Sequence, residues 1–298
     1  MIAIILESMR IFALLLSAAL HAQTLTGVID IHVHCDPDST ARSIDAVDLA
    51  KLAHQRGMRG LVFKNHYEPT ASLAYVIRKI VPGIEAFGGI DLNRTVGGIN
   101  PAAVEHMTQV KGGWGRVVWM PTFDAENQVR FSKENRPFVS VSRGGQLLPE
   151  VRETIGIIAR HHLVLATGHS SPDECILLVR EGRRAGVDHI VITHAMKPPI
   201  QMDITHMKQA AAEGAFLEFD YSALIGTAKV LEISQYTAAM RALGIPHCII
   251  SSDLGQAGNP LHPDGMAAFF RELRQQGFSV QEIETMAKKN PATLLGLP

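Results

Sequence analysis

Eight times after residue 26, the chain passes from a short β-branched or apolar run into an amphipathic stretch, with Gly or Pro turns at the joins. The runs predicted as strands are Val28–His34, Gly60–His66, Ile84–Leu92, Arg116–Thr122, Leu163–His169, His189–His194, Ala215–Tyr221 and His247–Asp253. Most intervals read as helices. In 44–57, Val47, Leu49, Leu52 and Ala53 recur at helical spacing with charges between them, and 172–185 and 204–213 behave in the same way. Strands that alternate with helices imply a parallel sheet, because each helix carries the chain back to the same edge. Eight such units in roughly 270 residues match the size of a (β/α)8 TIM barrel. The predicted class is therefore α/β, with the barrel over residues 23–298; a doubly wound open sheet is the alternative. The longest interval without a strand, 123–162, begins with a polar, helix-poor half (Asn127, Lys133, Glu134, Asn135, Arg136, Pro137) and is a candidate lid.

Composition narrows what such a barrel does. The formal net charge of -1 argues against a general nucleic-acid or anionic-membrane binder, which needs a basic face. Three cysteines, Cys35, Cys175 and Cys248, make no disulfide framework. The unusual count is 14 histidines, and their placement carries the argument.

The first 22 residues stand apart. Met9-Arg10 precedes an uncharged apolar run from Ile11 to Ala22, with small residues at Ser17-Ala18-Ala19 and at Ala22. That is the pattern of a signal peptide, and the run is short for a bilayer span. Glu7 fits poorly, and a start at Met9 removes it. The expectation is a signal peptide over 1–22 and export to the periplasm or beyond, with no stable membrane insertion after cleavage. A buried N-terminal helix in a cytoplasmic protein is the other reading.

Polar residues gather where the predicted strands end. Strand one ends in His32-Val33-His34, strand two in Lys64-Asn65-His66, strand five in His169, strand six in His194 and strand eight in Asp253. Alternation places His32 with His34 on one face, Ile31 with Val33 on the other, and Lys64 with His66 together. In a barrel of this type the C-terminal strand ends form the mouth of the active site. Histidines and an aspartate converging there are what a divalent metal needs, since imidazole and carboxylate bind Zn, Mn, Fe and Ni. A lone histidine is more often a hydrogen-bonded core residue; an ordered set at strand ends is not explained in that way.

With these pieces in view, the chain resembles the amidohydrolase superfamily of metal-dependent hydrolases over about residues 28 to 298. The resemblance rests on Ile29-Asp30-Ile31-His32-Val33-His34, Thr167-Gly168-His169, Thr193-His194 and Ser252-Asp253, together with the tail from Asn290 to Leu297, which looks like a closing helix. The resemblance implies that His32 and His34 bind a more buried metal and that His169 and His194 bind a more exposed one. It also implies that Asp253 is both ligand and proton shuttle. One or two divalent ions per chain are implied, with Zn first and Mn, Fe or Ni as alternatives. Strand four departs from the pattern. It ends Val118-Trp119-Met120-Pro121-Thr122, without the bridging Lys or Glu of two-metal members, and Asp124 and Glu126 lie only just beyond. Lys64 has three readings: a carboxylated bridge between metals, an ammonium that holds a substrate carboxylate or oxyanion, or a structural partner of an acid such as Asp91.

A metal in such a site lowers the pKa of bound water towards ~7, and a carboxylate such as Asp253 accepts the proton and passes it on. His66 is a candidate to stabilise an oxyanion or orient a ligand, and it counts with Asp253 and Lys64 as a candidate catalytic residue. Arg143, Tyr67 and Tyr221 are candidates for substrate binding. Cys35 alternates away from the His32/His34 face. The expected activity is hydrolysis of an amide, lactone or other ester in a small molecule. A phosphoester hydrolase on the same scaffold and a non-catalytic metal-binding protein are the alternatives. A nucleotide-binding barrel is disfavoured, because no glycine-rich phosphate loop follows a strand. A homo-oligomer would be ordinary for such a barrel.

Overall fold

The computed structural model describes residues 24–298. The segment read as a signal peptide, 1–22, lies outside the described residues.

Eight parallel strands form one sheet in the order β1 (Ile29–Val33), β2 (Gly60–Phe63), β3 (Glu85–Asp91), β4 (Gly115–Trp119), β7 (Val164–Ala166), β8 (His189–Ile192), β9 (Phe216–Asp220) and β10 (Cys248–Ser251). Between β4 and β7 in the chain, β5 (Ser142–Arg143) and β6 (Gln146–Leu147) form a small antiparallel hairpin of their own. Spatial order follows chain order, so every crossover joins neighbours. The sheet comes round on itself. Val33 bridges Leu254 in parallel, His34 N–H donates to Leu254 O at 2.9 Å, and Asp253 N–H donates to His32 O at 3.0 Å. This is the predicted TIM barrel, not the open sheet.

Local chemistry sets the helices between. Asp45 caps Ala46–Gln55 by accepting from Val47 and Asp48, and Ser171 and Glu174 form a capping box that starts Pro172–Ala185. The predicted spans 44–57, 172–185 and 204–213 become Ala46–Gln55, Pro172–Ala185 and Ile204–Ala212. The helices pack their apolar faces on the outside of the barrel, where Leu61, Phe63, Leu165 and Ile250 meet Leu49, Ile77, Leu178 and Phe270. Inside, Ile29, Val62, Phe87, Val117, Val164, Val191 and Ile249 form a second apolar cluster with Leu294 and Leu295. The tail helix Asn290–Leu294 therefore plugs the barrel. Asn290 Nδ2 donates to Ile245 O at 2.9 Å and to Cys248 O at 2.7 Å, at the start of β10.

Two sequence expectations need correction. Strict alternation fails along β1, where the register shifts between Asp30 and Val33. Ile31 joins the inner cluster while Val33 packs outside, so these two do not share a face. The interval 123–162 is also less bare than predicted. It holds a short helix, Glu126–Phe131, the hairpin, and a long helix, Pro149–Arg160.

Candidate metal centre

The regular strands stop short of the polar residues. His34, Lys64, His66, His169, His194 and Asp253 all sit just past a strand end, where the chain turns into a loop. Two of these turns use unusual backbone: Asp253 has φ 48° and His194 φ 24°. Such conformations are costly for residues with a Cβ and collect at functional sites. Glycine makes the approach to His169. Gly168 has φ 60°, and a Cβ there would lie 2.1 Å from Met120 O, so only glycine brings His169 this close to the β4 loop.

The sequence-predicted set meets in one cavity of about 320 Å³. His34, Lys64, His66, His169, His194 and Asp253 line it, together with Thr40, Arg42, Phe123, Gln128, Lys197, Pro198 and Gln256. Ring centroids run from His194 to His32 at 5.9 Å, His32 to His34 at 5.2 Å, His34 to His66 at 4.8 Å, and His194 to His169 at 4.9 Å. Asp253 Oδ1 lies 3.1 Å from His32 Nε2 and 3.2 Å from His34 Nε2. Among the described residues, His32, His34 and Asp253 offer ligand atoms within 4.8 Å of one another.

The hydrogen bonds around these rings decide whether a cation fits. His32 Nδ1 is 3.0 Å from Glu218 Oε1, and His169 Nδ1 is 2.8 Å from Gln128 Oε1. Glu218 also accepts from Ser251 Oγ at 2.7 Å and from His194 N–H at 2.9 Å, so it acts as an acceptor throughout. The network therefore assigns the proton of both rings to Nδ1 and leaves Nε2 with a lone pair. Burial pushes His32 and His34 down to about 3 and His194 down to about 4, and it holds His169 well below the usual imidazole range. These rings are neutral. His32 Nε2 then points a lone pair at a carboxylate oxygen 3.1 Å away, with no hydrogen bond between them. His34 Nδ1 and His194 Nδ1 are buried without partners as well. Opposed lone pairs in a dry site are unfavourable unless a cation lies between them. The outer N–H held by a carboxylate or amide oxygen is the arrangement that orients a metal-binding imidazole. The donor set fits a divalent ion.

Asp253 is held on its other side. Lys197 Nζ donates to Oδ2 at 2.7 Å, and Ser222 Oγ donates to the same oxygen at 2.9 Å. Burial alone would raise the Asp253 carboxyl, but the Lys197 ammonium holds it well below its ordinary value. Burial likewise opposes the charge on Lys197, yet Asp220 and Asp253 keep it a firm cation. His66 turns away from this pair. Its Nδ1 is 2.9 Å from Thr122 Oγ1 and 3.1 Å from Asp91 Oδ2, and its ring stacks on Phe123 at 3.9 Å. Lys64 Nζ lies 3.7 Å from Asp91 Oδ2 and 5.6 Å over the Trp119 ring, and it makes no hydrogen bond. Burial lifts the Asp91 carboxyl to about 6, against the opposing pull of Lys64 and Thr122.

None of the three predicted substrate contacts lines the cavity. Tyr221 follows Glu218 and Asp220, which face the barrel interior and its mouth, so alternation turns it outwards. Its ring stacks on Phe269 at 5.3 Å and its hydroxyl donates to Glu272 at 2.8 Å. Arg143 is exposed on the hairpin and borders a different groove, with Arg94, Phe138 and Leu148. Tyr67 is half-buried at 6.3 Å from His66 and is not among the residues lining the cavity. Asp124 and Glu126 are engaged by Arg136 and Arg130 and take no part. Cys35 is buried, and burial pushes its thiol up to about 12, which keeps it protonated.

Sequence reading missed Glu218, Lys197, Gln128 and Arg42. Glu218 had a signal, a single acid in the middle of the apolar run Phe216-Leu217-Glu218-Phe219. Arg42 and Lys197 come from loops, where no period marks a side chain's direction, and Gln128 from a helix of 6 residues, too short to show one.

Comparisons with known proteins agree with this fold. The model of a family described as a family of unknown function (DUF6282) matches residues 27–218, which takes in every site histidine and Glu218 but stops before Asp253. No curated protein matches the chain. Among solved structures, an amidohydrolase from Pseudomonas aeruginosa has a TM-score of 0.64 at 14% identity, covering 94% of this chain and 99% of that one. Organophosphorus hydrolase from Deinococcus radiodurans has a TM-score of 0.61 at 15% identity, covering 92% and 96%. A third is described as molecular engineering of organophosphate hydrolysis activity from a weak promiscuous lactonase template. It has a TM-score of 0.61 at 16% identity, covering 92% of this chain and all of the other. At these identities the likeness establishes the barrel fold.

Proposed function

We propose that this chain, which belongs to the family of unknown function DUF6282, is a metal-dependent hydrolase of amide, lactone or other ester bonds in small molecules. One observation carries the reading. His32 Nε2 and Asp253 Oδ1 direct unshared electron pairs at each other 3.1 Å apart at one buried point of the barrel mouth, with His34 Nε2 beside them at 3.2 Å from the same oxygen. A storage site would have no use for the open cavity beside it. His32, His34 and Asp253 would hold one ion, and His169 and His194 would complete that site or hold a second; Zn is the ion we favour. Such an ion, when bound, lowers the pKa of water towards ~7 and polarises a carbonyl or phosphoryl oxygen.

The chain's own groups do the rest. Glu218 fixes the His32 ring through Nδ1, and Gln128 fixes His169. Lys197 and Ser222 hold Asp253 Oδ2, which turns Oδ1 towards His32 and His34, and this carboxylate is the group that would take a proton from water and return it to the leaving group. His66, with its proton on Nδ1 towards Thr122 and Asp91, keeps its other nitrogen free for an oxyanion's partner water or for substrate. Phe123 and Pro198 supply apolar wall. The neighbours' shared fold with an organophosphorus hydrolase supports a phosphoester substrate as the second reading.

The test is elemental analysis of protein purified without chelator, followed by hydrolysis of a panel of lactones, aryl esters, amides and phosphotriesters. We expect one or two divalent ions per chain, loss of hydrolysis on chelation, and recovery with Zn or Mn. Absence of metal even after reloading would return the strand-end residues to a purely structural role. Metal without hydrolysis of any substrate would favour storage.

We also propose export, which rests on the sequence pattern of residues 1–22 alone. N-terminal sequencing of the mature protein should begin near Gln23; a mature chain that retains Met1 or Met9 refutes it.

A further inference from the structure

Three cations, Arg42, Lys64 and Lys197, and one carboxylate, Asp253, line the cavity. The acids that balance the cations lie behind the wall. Asp38 accepts from Arg42 at 2.8 Å, Asp220 stands 3.4 Å from Lys197, and Asp91 stands 3.7 Å from Lys64. Arg42 and Lys197 are thus tied by hydrogen bonds to carboxylates. Lys64 is not. Its Nζ is buried and makes no hydrogen bond, although its residue lines the cavity.

The surroundings of Nζ fix what it carries. The face of Trp119 at 5.6 Å and the Asp91 carboxylate at 3.7 Å both favour positive charge there. The same groups would repel the anion formed by carboxylating the amine. Lys64 is therefore an ammonium with three donors and no acceptor, and leaving such a group unsatisfied in a dry site is expensive. A ligand acceptor resolves this.

We propose that the substrate carries a carboxylate that docks on Lys64 Nζ while its scissile amide or ester bond lies against the His32, His34 and Asp253 cluster. The bond-breaking half of this statement rests on the hydrolase reading; the docking half does not. One ammonium without hydrogen bonds matches a single negative charge, whereas a dianionic phosphate would bury uncompensated charge. The cavity of about 320 Å³ admits a small molecule, and Phe123, 40% exposed and stacked on His66, faces the remainder of it. The substrate class is a small carboxylate-bearing amide or ester with a compact apolar body.

The experiment is calorimetric titration of the metal-loaded protein with benzoate, benzamide and phenylphosphonate. Wild-type protein should bind benzoate at least about tenfold more tightly than benzamide, the effect of one charged hydrogen bond. Lys64→Met should abolish that preference with metal content unchanged, and Lys64→Gln serves where Lys64→Met does not fold. Equal binding of benzoate and benzamide by wild type would overturn the proposal. So would a benzoate preference that survives loss of Lys64, since the carboxylate would then sit on the metal or on Arg42. Tighter binding of phenylphosphonate would overturn the monoanion, and a carbamate signal on Lys64 in carbon-13 spectra would overturn the ammonium. The two readings fail separately. A protein that binds benzoate through Lys64 but hydrolyses nothing loses only the hydrolase. A hydrolase that prefers neutral esters loses only the docking site.

Discussion

Asp253→Asn is expected to lower kcat by roughly 10²–10⁴-fold while at least one metal ion per chain remains, the scale of losing a positioned acid–base group. His169→Ala is expected to lose metal and activity together. The contrast follows from how each side chain is held. The replacement amide keeps a carbonyl oxygen for the cluster, but it has no carboxylate to take a proton. The native Oδ2 is anchored by Lys197 and Ser222, which hold the side chain in place. His169 has no second anchor of that kind; its ring is fixed by Gln128 alone and offers Nε2. Metal content by elemental analysis, read beside kcat on the best substrate of the panel, checks both. A near wild-type rate for Asp253→Asn would remove the proton-transfer role, and full metal content in His169→Ala would remove His169 from the ligand set.

The second large effect is expected at a residue that touches no substrate. Glu218 accepts from His32 Nδ1, Ser251 Oγ and the His194 backbone N–H, so one buried carboxylate aims two candidate ligands from two strands. Glu218→Gln keeps the shape and one acceptor, and it is expected to weaken metal affinity about 10–100-fold, as loss of such supporting contacts does. Competition with a chelator of known affinity measures this. The melting curve of the metal-free variant separates a local effect from a global one. Metal affinity equal to wild type, with an unchanged melt, would show that packing alone orients His32.

Much of this was legible in the sequence because two of its signals are periodic. Runs of β-branched residues and helical apolar spacing located all eight barrel strands, since burial on both faces of a parallel sheet leaves little freedom in composition. Strand ends were read two or three residues too long at His66, His169 and Asp253. All three look like strand continuations but sit past the strand ends, and the turns at His169 and Asp253 use positive φ at Gly168 and at Asp253 itself. The candidate metal set was readable because it stands at strand ends. Tyr221 was misplaced although it too stands at a strand end, because its neighbours Glu218 and Asp220 had already claimed the inward face. Lys197 and Arg42 were illegible, since a loop side chain has no period to declare its direction, and Gln128 stands on a helix too short to show one. Arg143 was misread for the same reason, on a hairpin that faces its own groove.

Closure of the sheet on itself has a further consequence, for how the protein is made. Val33 pairs with Leu254, about 220 residues further along the chain. As the chain leaves the ribosome, β1 exposes one unpaired edge until β10 has been synthesised. The tail helix that fills the inner cluster arrives later still. Every pairing before that moment is between neighbours, so partial sheets form early and remain open. The candidate metal-binding residues meet at that same seam, from the end of β1 and from the turn after β10. An ion held by His32, His34 and Asp253 therefore ties together the first and last strands to be synthesised. Loading it would act as a clasp on the finished barrel, binding only chains whose synthesis has passed the eighth strand.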